Sequence, residues 1–497
     1  MITIEEFATF CKQKGFVYRS SEIYGGLAGV HDYGLLGAPL KRAILDSWWN
    51  RFVTRREDLV GIDGAIISAG AVWEASGHTA GFNDPLIQDL TTKRYHRADH
   101  LVEDALGIPT DGMNTDELAK IIEERGVKSP EGNALGSIVS FNLMFPVRMG
   151  ANPDTANIAY LRGETAQVIF AQFRSIYDAA RAKLPFGIAQ AGKAFRNEIS
   201  PREFLFRERE FEILEIEYFF APEKPIDFTQ MPGGDAFLEF ELAFLSADDQ
   251  ENDKDAHLVR LGELVDAGVM IPLHAYWLAQ SFSWYTSLGI RPENLRVREH
   301  LPNELSHYSA GTFDIEYRFP FGFKEIYGIA NRTDYDLKAH QEKSGKNMEV
   351  FDDELGRKVL PHVIEPSFGF GRTILAIMLD AYRGDAERGN VVLSLSPRIA
   401  PYHAAVLPLV SNKEPLVELS RSIFASLLDA GLRITYDKSG SVGRRYARQD
   451  EIGTPYCVTV DFESLEDGAV TVRDRDSTEQ ERVPIDTLSS WLTERCR

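Results

Sequence analysis

The stretch Phe195–Phe220, FRNEISPREFLFREREFEILEIEYFF, holds four arginines and seven glutamates in what otherwise reads as two β-strands. Strands seldom carry so many ionised groups unless one face meets a charged ligand. If Phe204 to Phe220 is a single strand, its side chains alternate between two faces. One face then carries Arg207, Arg209, Phe211, Ile213, Glu215 and Glu217, and the other Phe206, Glu208, Glu210, Glu212, Leu214, Ile216 and Tyr218. Along the first face a cation gives way to a ring and then to a carboxylate. From Arg207 through Phe211 to Glu215 the extended chain spans about 27 Å. Arg196 ends the preceding strand and Ser200-Pro201-Arg202 makes a turn, so the hairpin is expected to bring Arg196 near the centre of the next strand. Arginine grips phosphate with two hydrogen bonds at once, a ring can stack on a purine, and a carboxylate can hold an ammonium group. Cross-strand salt bridging on an exposed sheet is the competing reading.

The remaining composition is that of a globular chain: 497 residues, 44% hydrophobic, 26% charged. That length is expected to divide into two to four domains. No run of about eighteen apolar residues suggests a membrane span, and the acidic start MITIEEFATFCKQKG lacks the basic and apolar regions of a secretion signal. Cys11, Cys457 and Cys496 are scattered and odd in number. They point to a reducing cytoplasm, with neither a disulfide framework nor a zinc site. A formal net charge of −21 argues against general nucleic-acid binding but leaves room for a local basic patch.

Residues 98–155 read as polar and helical, with an N-cap at Asn114 or Thr115. Residues 222–300, opened by Pro222 and Pro225 and containing the acidic run SADDQENDKDA, read as a second helical insertion. Arg383–Asn390 reads as a linker. Beyond it, VVLSLS, AAVLPLV, LRITYD, YCVTVDF and AVTVRDR alternate with helices as in a small α/β domain. The division expected is therefore 1–388 and 389–497.

FRNEISPREFLFREREF resembles motif 2 of the class II aminoacyl-tRNA synthetases, and EPSFGFGRTILAIML, Glu365 to Leu379, resembles motif 3. Ser20–Trp49 is similar to the motif 1 region of glycyl-tRNA synthetases of the homodimeric, single-chain type. SGHTAGFNDPLIQD, YLRGETAQ, GIAQAGKAFRNEISPR and EIYGIANRTDYDL match as well, and YDKSGSVGRRYARQDEIGTPYCVTVDF resembles the anticodon-binding domain of that family. The likeness covers nearly the whole chain. Leu35 and Gly163 stand where the family usually has proline.

The resemblance implies an α+β catalytic domain, an antiparallel sheet flanked by helices, followed by a C-terminal mixed α/β anticodon-binding domain. It implies a cytoplasmic homodimer that activates glycine with ATP and Mg²⁺ and passes it to tRNA(Gly). Arg196, Arg207 and Arg372 would be the catalytic arginines on the phosphates. Asn197, Glu198, Phe206, Phe211, Glu325, Ile326 and Gly369 would complete the ATP site, with Glu325 holding the metal. Arg97, Glu164, Phe211, Glu215, Glu365, Ser367 and Gly369 would receive glycine. Glu217 is left a supporting part in the sheet. No editing domain is expected, because no smaller amino acid exists to be rejected.

In the C-terminal loop and helix, Lys438, Arg444, Arg445 and Arg448 oppose Asp437 and Asp450, a local balance of 4 − 2 = +2. Those four cations are expected to grip tRNA, with Tyr436 and Tyr446 available to stack on bases. Gly187–Ala194 fits a phosphate-loop pattern, but Ala194 lacks the hydroxyl such a loop needs, so it reads as the strand entering the arginine hairpin. His31, His78 and His307 carry no metal spacing and receive no role.

Overall fold

The computed structural model describes residues 2–108, 110, 113–150, 158–306 and 308–496; His307 and parts of the 98–155 segment lie outside them. A nine-stranded sheet organises the larger part of the chain. Its order is His257–Arg260, Glu241–Leu245, Leu295–Glu299, Thr312–Phe319, Gly322–Thr333, His362–Gly369, Glu210–Phe220, Phe186–Phe195 and Leu59–Ile62. All pairings are antiparallel except Glu241–Leu245 with Leu295–Glu299 and Phe186–Phe195 with Leu59–Ile62.

The segment 222–300 is not an appended helical insertion. It supplies three strands of this sheet and the helix Pro272–Ser287. That helix opens on a proline, which suits a first helical turn, and is apolar nearly all round, as a helix must be to sit in a core. Tyr276, Trp277, Trp284 and Tyr285 are each 1% exposed or less, and Trp284 meets Phe52 and Phe368 edge-on at 6.0 and 5.5 Å. The acidic run forms a short helix, Ala247–Glu251, capped by Ser246 and Asp249, followed by an exposed turn.

The 98–155 region is likewise not wholly helical. Ala98–Leu106 and Thr115–Arg125 pack on a three-stranded sheet of Tyr95–Arg97, Asn83–Asp89 and Leu135–Asn142, around Ile87, Leu101, Val102, Leu118 and Ile122. Asn114 caps the second helix, with Glu117 completing a capping box.

The strand expected to run from Phe204 begins only at Glu210. Phe204–Phe206 is a short 3-10 turn. Arg196 accordingly pairs by its backbone with Arg209, just before the strand, and not with its centre. Gly187–Ala194 does lie in a strand, Phe186–Phe195.

The first core extends through Leu393, Leu395, Ile399 and Ala400, and the second starts at Ala404. The change of core thus falls about twelve residues beyond the sequence boundary. The C-terminal part is a five-stranded mixed sheet, ordered Ile434–Tyr436, Ala404–Pro408, Tyr456–Val460, Ala469–Asp474, Gln480–Pro484, with its first three strands parallel and the rest antiparallel. Glu414–Asp429, Val442–Glu451 and Leu488–Cys496 are its longer helices. Among the described residues no helix is long and apolar enough to cross a membrane.

Candidate active site

A cavity of about 480 Å³ opens on the sheet where Glu210–Phe220, His362–Gly369 and Gly322–Thr333 lie side by side. It is lined at one end by Arg196, Glu198, Phe206, Arg207, Glu325 and Arg372, and at the other by Glu164, Glu215, Glu365 and Ser367, with Phe211 and Gly369 also in its wall. Arg207 reaches it from the loop and not from the strand. The cation, ring and carboxylate of the sequence reading nevertheless share one cavity.

At the cationic end, Arg207 donates Nε–H to Glu198 at 2.7 Å and lies 3.2 Å from His100 Nε2. Burial and the flanking arginines push His100 down to about 3, so it stays neutral beside Arg207. Arg196 donates to the Gly163 carbonyl at 3.2 Å, and its guanidinium sits 5.2 Å from the Phe211 ring. Arg372, in the first turn of Phe370–Ala381, donates to the Phe206 and Glu325 carbonyls at 3.2 and 3.1 Å. Its guanidinium lies over the Phe206 ring at 4.5 Å and pairs with the Glu325 carboxylate at 2.9 Å. No side chain caps that helix start, which favours an anion in front of it. Carboxylate oxygens of Asp314 and Glu325 lie 3.3 and 3.8 Å from where a Cβ on Gly328 would stand. Asp314 also lies 2.7 Å from His300 Nε2.

The acidic end is denser than the sequence suggested. Glu215 accepts from the Thr165 amide at 2.8 Å and from the Thr165 hydroxyl, and Ser367 donates to it at 3.3 Å. Glu164 accepts from Gln167 at 3.0 Å and faces His78 at 3.4 Å. Arg332, 2% exposed, donates to Glu365 at 2.9 Å and to Asp336 at 2.7 and 3.0 Å, and stands 3.9 Å from Glu164. Burial, reinforced by Glu215 and Glu164, pushes Glu365 up to about 8 despite Arg332. Burial and Glu164 also raise Glu215. Burial opposes ionisation of Glu164 too, but His78, Arg332 and Gln167 hold it well below the usual carboxylate range.

Three expected site residues stand elsewhere. Arg97 is not in the cavity wall; it pairs with Asp84 at 2.7 Å and with Asp99. Ile326 is fully buried and offers its carbonyl to Tyr285, and Asn197 donates its backbone N–H to the Leu143 carbonyl at 2.8 Å. Residues the sequence reading gave no role, His300, Tyr308 and Asp314, line the cavity, and Arg332 stands behind it. The Arg332/Asp336 spacing of four, flanking a strand end, was the available signal for that cluster.

In the C-terminal part Lys438, Arg444 and Arg448 are exposed, but Arg445 is 1% exposed and donates to the Pro408 and Leu409 carbonyls at 2.6 and 3.0 Å. It is a structural cation and not part of a phosphate-gripping face. Tyr436 and Tyr446 are engaged as well: Arg421 lies 3.7 Å over the Tyr436 ring, and the Tyr446 hydroxyl bonds Thr459 at 2.7 Å. Elsewhere Asp89, His96 and Glu131 bring three ligand-type atoms within 4.8 Å of one another. Asp89 there already accepts from the Thr91 and Thr92 amides and from Asn133.

An antiparallel sheet whose three adjacent strands carry an arginine hairpin, an arginine-bearing helix start and an acidic pocket defines a class II aminoacyl-tRNA synthetase. Residues 403–495 match the family model described as the anticodon binding domain. Proteins named glycine–tRNA ligase align along almost the full length. Those of Geobacillus kaustophilus, Staphylococcus haemolyticus and Staphylococcus aureus are 43%, 42% and 41% identical, each over 99% of this chain and 98–99% of their own length. The chain belongs to the glycine–tRNA ligase family.

Proposed function

We propose that this chain activates glycine with ATP and transfers it to the 3′ end of tRNA(Gly). The glycine carboxylate attacks the α-phosphorus in line, and the bond to pyrophosphate breaks. A hydroxyl at the tRNA 3′ end then attacks the acyl carbon and releases AMP. Such chemistry depends on position and charge neutralisation more than on a general base. Arg196 holds the α-phosphate and the glycine carboxylate, and Arg207 and Arg372 hold the outer phosphates. Phe211, with Phe206 nearby, stacks on the adenine, and Glu198 orients the loop that carries Arg207. Glu325 and Asp314 would hold Mg²⁺, which neutralises phosphate charge when bound.

Glu164, Glu215 and Glu365 attract the glycine ammonium, and Ser367 and Gly369 leave no room for a side chain on the α-carbon. Lys438, Arg444 and Arg448 form the tRNA-facing cations of the C-terminal part. A second copy of the chain covers Ile23, Tyr24 and Leu35, which are 88%, 87% and 66% exposed. Residence is cytoplasmic, in keeping with three cysteines that are buried and unpaired.

The observation that carries the reading is one cavity with arginines at one end and a carboxylate cluster at the other. Amino-acid-dependent ATP–pyrophosphate exchange tests it. Glycine should support exchange and alanine and serine should not; exchange with another amino acid, or none with glycine, would overturn it.

A further inference from the structure

The loop carrying Arg207 is held from outside as well as from the sheet. His31 lies on the hairpin strand His31–Tyr33, next to the exposed Ile23, Tyr24 and Leu27. Its Nδ1 sits 2.8 Å from Glu208 Oε1, and its ring meets Phe204 edge-on at 5.2 Å. Next to Glu208, Arg209 stitches the same two segments together. The Arg209 amide donates to the Gly29 carbonyl at 2.7 Å, and its guanidinium to the Ala28 carbonyl at 3.1 Å. Gly29 has φ +69°, and a Cβ there would stand 2.5 Å from Pro201, so only glycine allows the approach.

The other oxygen of Glu208 faces the helix start that bears Arg372. A Cβ on Gly371 would lie 2.7 Å from Glu208 Oε2 and 2.9 Å from the Leu205 carbonyl. The Glu208 side chain is only 5% exposed and that of His31 13%. One buried carboxylate thus touches the surface hairpin, the arginine loop and the arginine helix. Neither Glu208 nor His31 has a part in the phosphate chemistry described above.

We infer that His31 and Glu208 are positioning residues for ATP: their contact fixes the 204–209 loop against the Phe370–Ala381 helix, so that Arg207 and Arg372 face the same phosphates. The inference rests on the ATP end of the reading above and adds a specific requirement to it. The same contact ties the exposed 23–35 surface to the nucleotide end of the cavity.

Calorimetric ATP binding without glycine, together with the separate KM values for ATP and glycine, tests this on His31→Ala, Glu208→Ala, the double variant and Glu208→Gln. Each alanine variant should weaken ATP about tenfold while the glycine KM stays within about twofold, and the double variant should be no worse than the weaker single. Glu208→Gln, which can still accept from His31, should recover most of the loss. His31→Ala carries the test where Glu208→Ala does not fold. Equal losses for ATP and glycine, additive losses in the double variant, or unchanged ATP affinity would overturn the inference. A chain with no glycine-dependent exchange but with His31- and Glu208-dependent ATP affinity would overturn the proposed function while upholding this inference.

Discussion

Replacing Arg332 with methionine keeps most of the side chain's length and removes the buried guanidinium that pairs with Glu164, Glu365 and Asp336. Three hydrogen bonds of 2.7–3.0 Å are lost, and the carboxylates they served remain buried. Breaking a buried pair in this way costs about 3–5 kcal/mol. The cluster has an escape, because a stranded carboxylate can bind a proton. Arg332 lowers both Glu164 and Glu365, so its loss raises both, and the variant's deficit should shrink as the pH falls from 7.5 to 5.5. Urea unfolding of the catalytic part, followed by tryptophan fluorescence at both pH values, measures the deficit against the parent. At pH 7.5 the glycine KM should rise while the ATP KM changes little, since Arg332 stands at the acidic end. A deficit below about 1 kcal/mol, or one that does not move with pH, would refute the view that Arg332 compensates these carboxylates.

Arg444→Glu should raise the tRNA KM several-fold and leave glycine-dependent exchange intact, whereas Arg445→Leu should lower the melting temperature of the C-terminal part, because its bonds to Pro408 and Leu409 hold the helix Val442–Glu451 in place. An unchanged tRNA KM in Arg444→Glu would remove that helix from the tRNA surface. Ile23→Ser combined with Tyr24→Ser should turn a dimer into a monomer in sedimentation velocity; a dimer that survives both changes does not use this surface.

What the sequence revealed and what it hid have separable causes. The arginine hairpin was legible because its charges violate strand preference, and few structures tolerate that without a ligand. Its geometry was half wrong. Alternation was extended back to Phe204, whereas the chain leaves the strand before Glu210, and Arg207 reaches the cavity from a loop. Residues 222–300 were misread because prolines and the acidic run announce a surface segment, while Glu241–Leu245 and His257–Arg260 are short strands that pair with each other across that run, and Glu241–Leu245 joins the sheet only through the distant Leu295–Glu299. Arg445 was misassigned by counting charge: composition cannot tell a guanidinium turned to solvent from one turned to backbone carbonyls. Arg332 escaped notice because its spacing of four from Asp336 is a weak local signal, while Glu164 and Glu365 reach it from two other segments.

Glu217 shows most sharply how this convergence changes a residue's meaning. In the sequence it is one more glutamate of an alternating strand; in the structure it is fully buried, and neither carboxylate oxygen has a hydrogen-bonding partner among the described residues. Burial first, and then the neighbouring Glu365, push it well above the ordinary carboxylate range. A raised carboxylate contributes its stability while it is protonated and loses it as pH rises, because the unfolded chain gives up the proton sooner. Between pH 6 and the folded-state value, the parent should lose about 1.4 kcal/mol per pH unit through this group. Glu217→Gln has the shape of the protonated acid and no proton to lose. It should match the parent near pH 5 and exceed it increasingly towards pH 8 in denaturant midpoints. If Glu217→Gln were the less stable form at pH 8, the carboxylate would have to be ionised in the folded chain, and the buried cluster around Arg332 would hold one more negative charge than its burial allows.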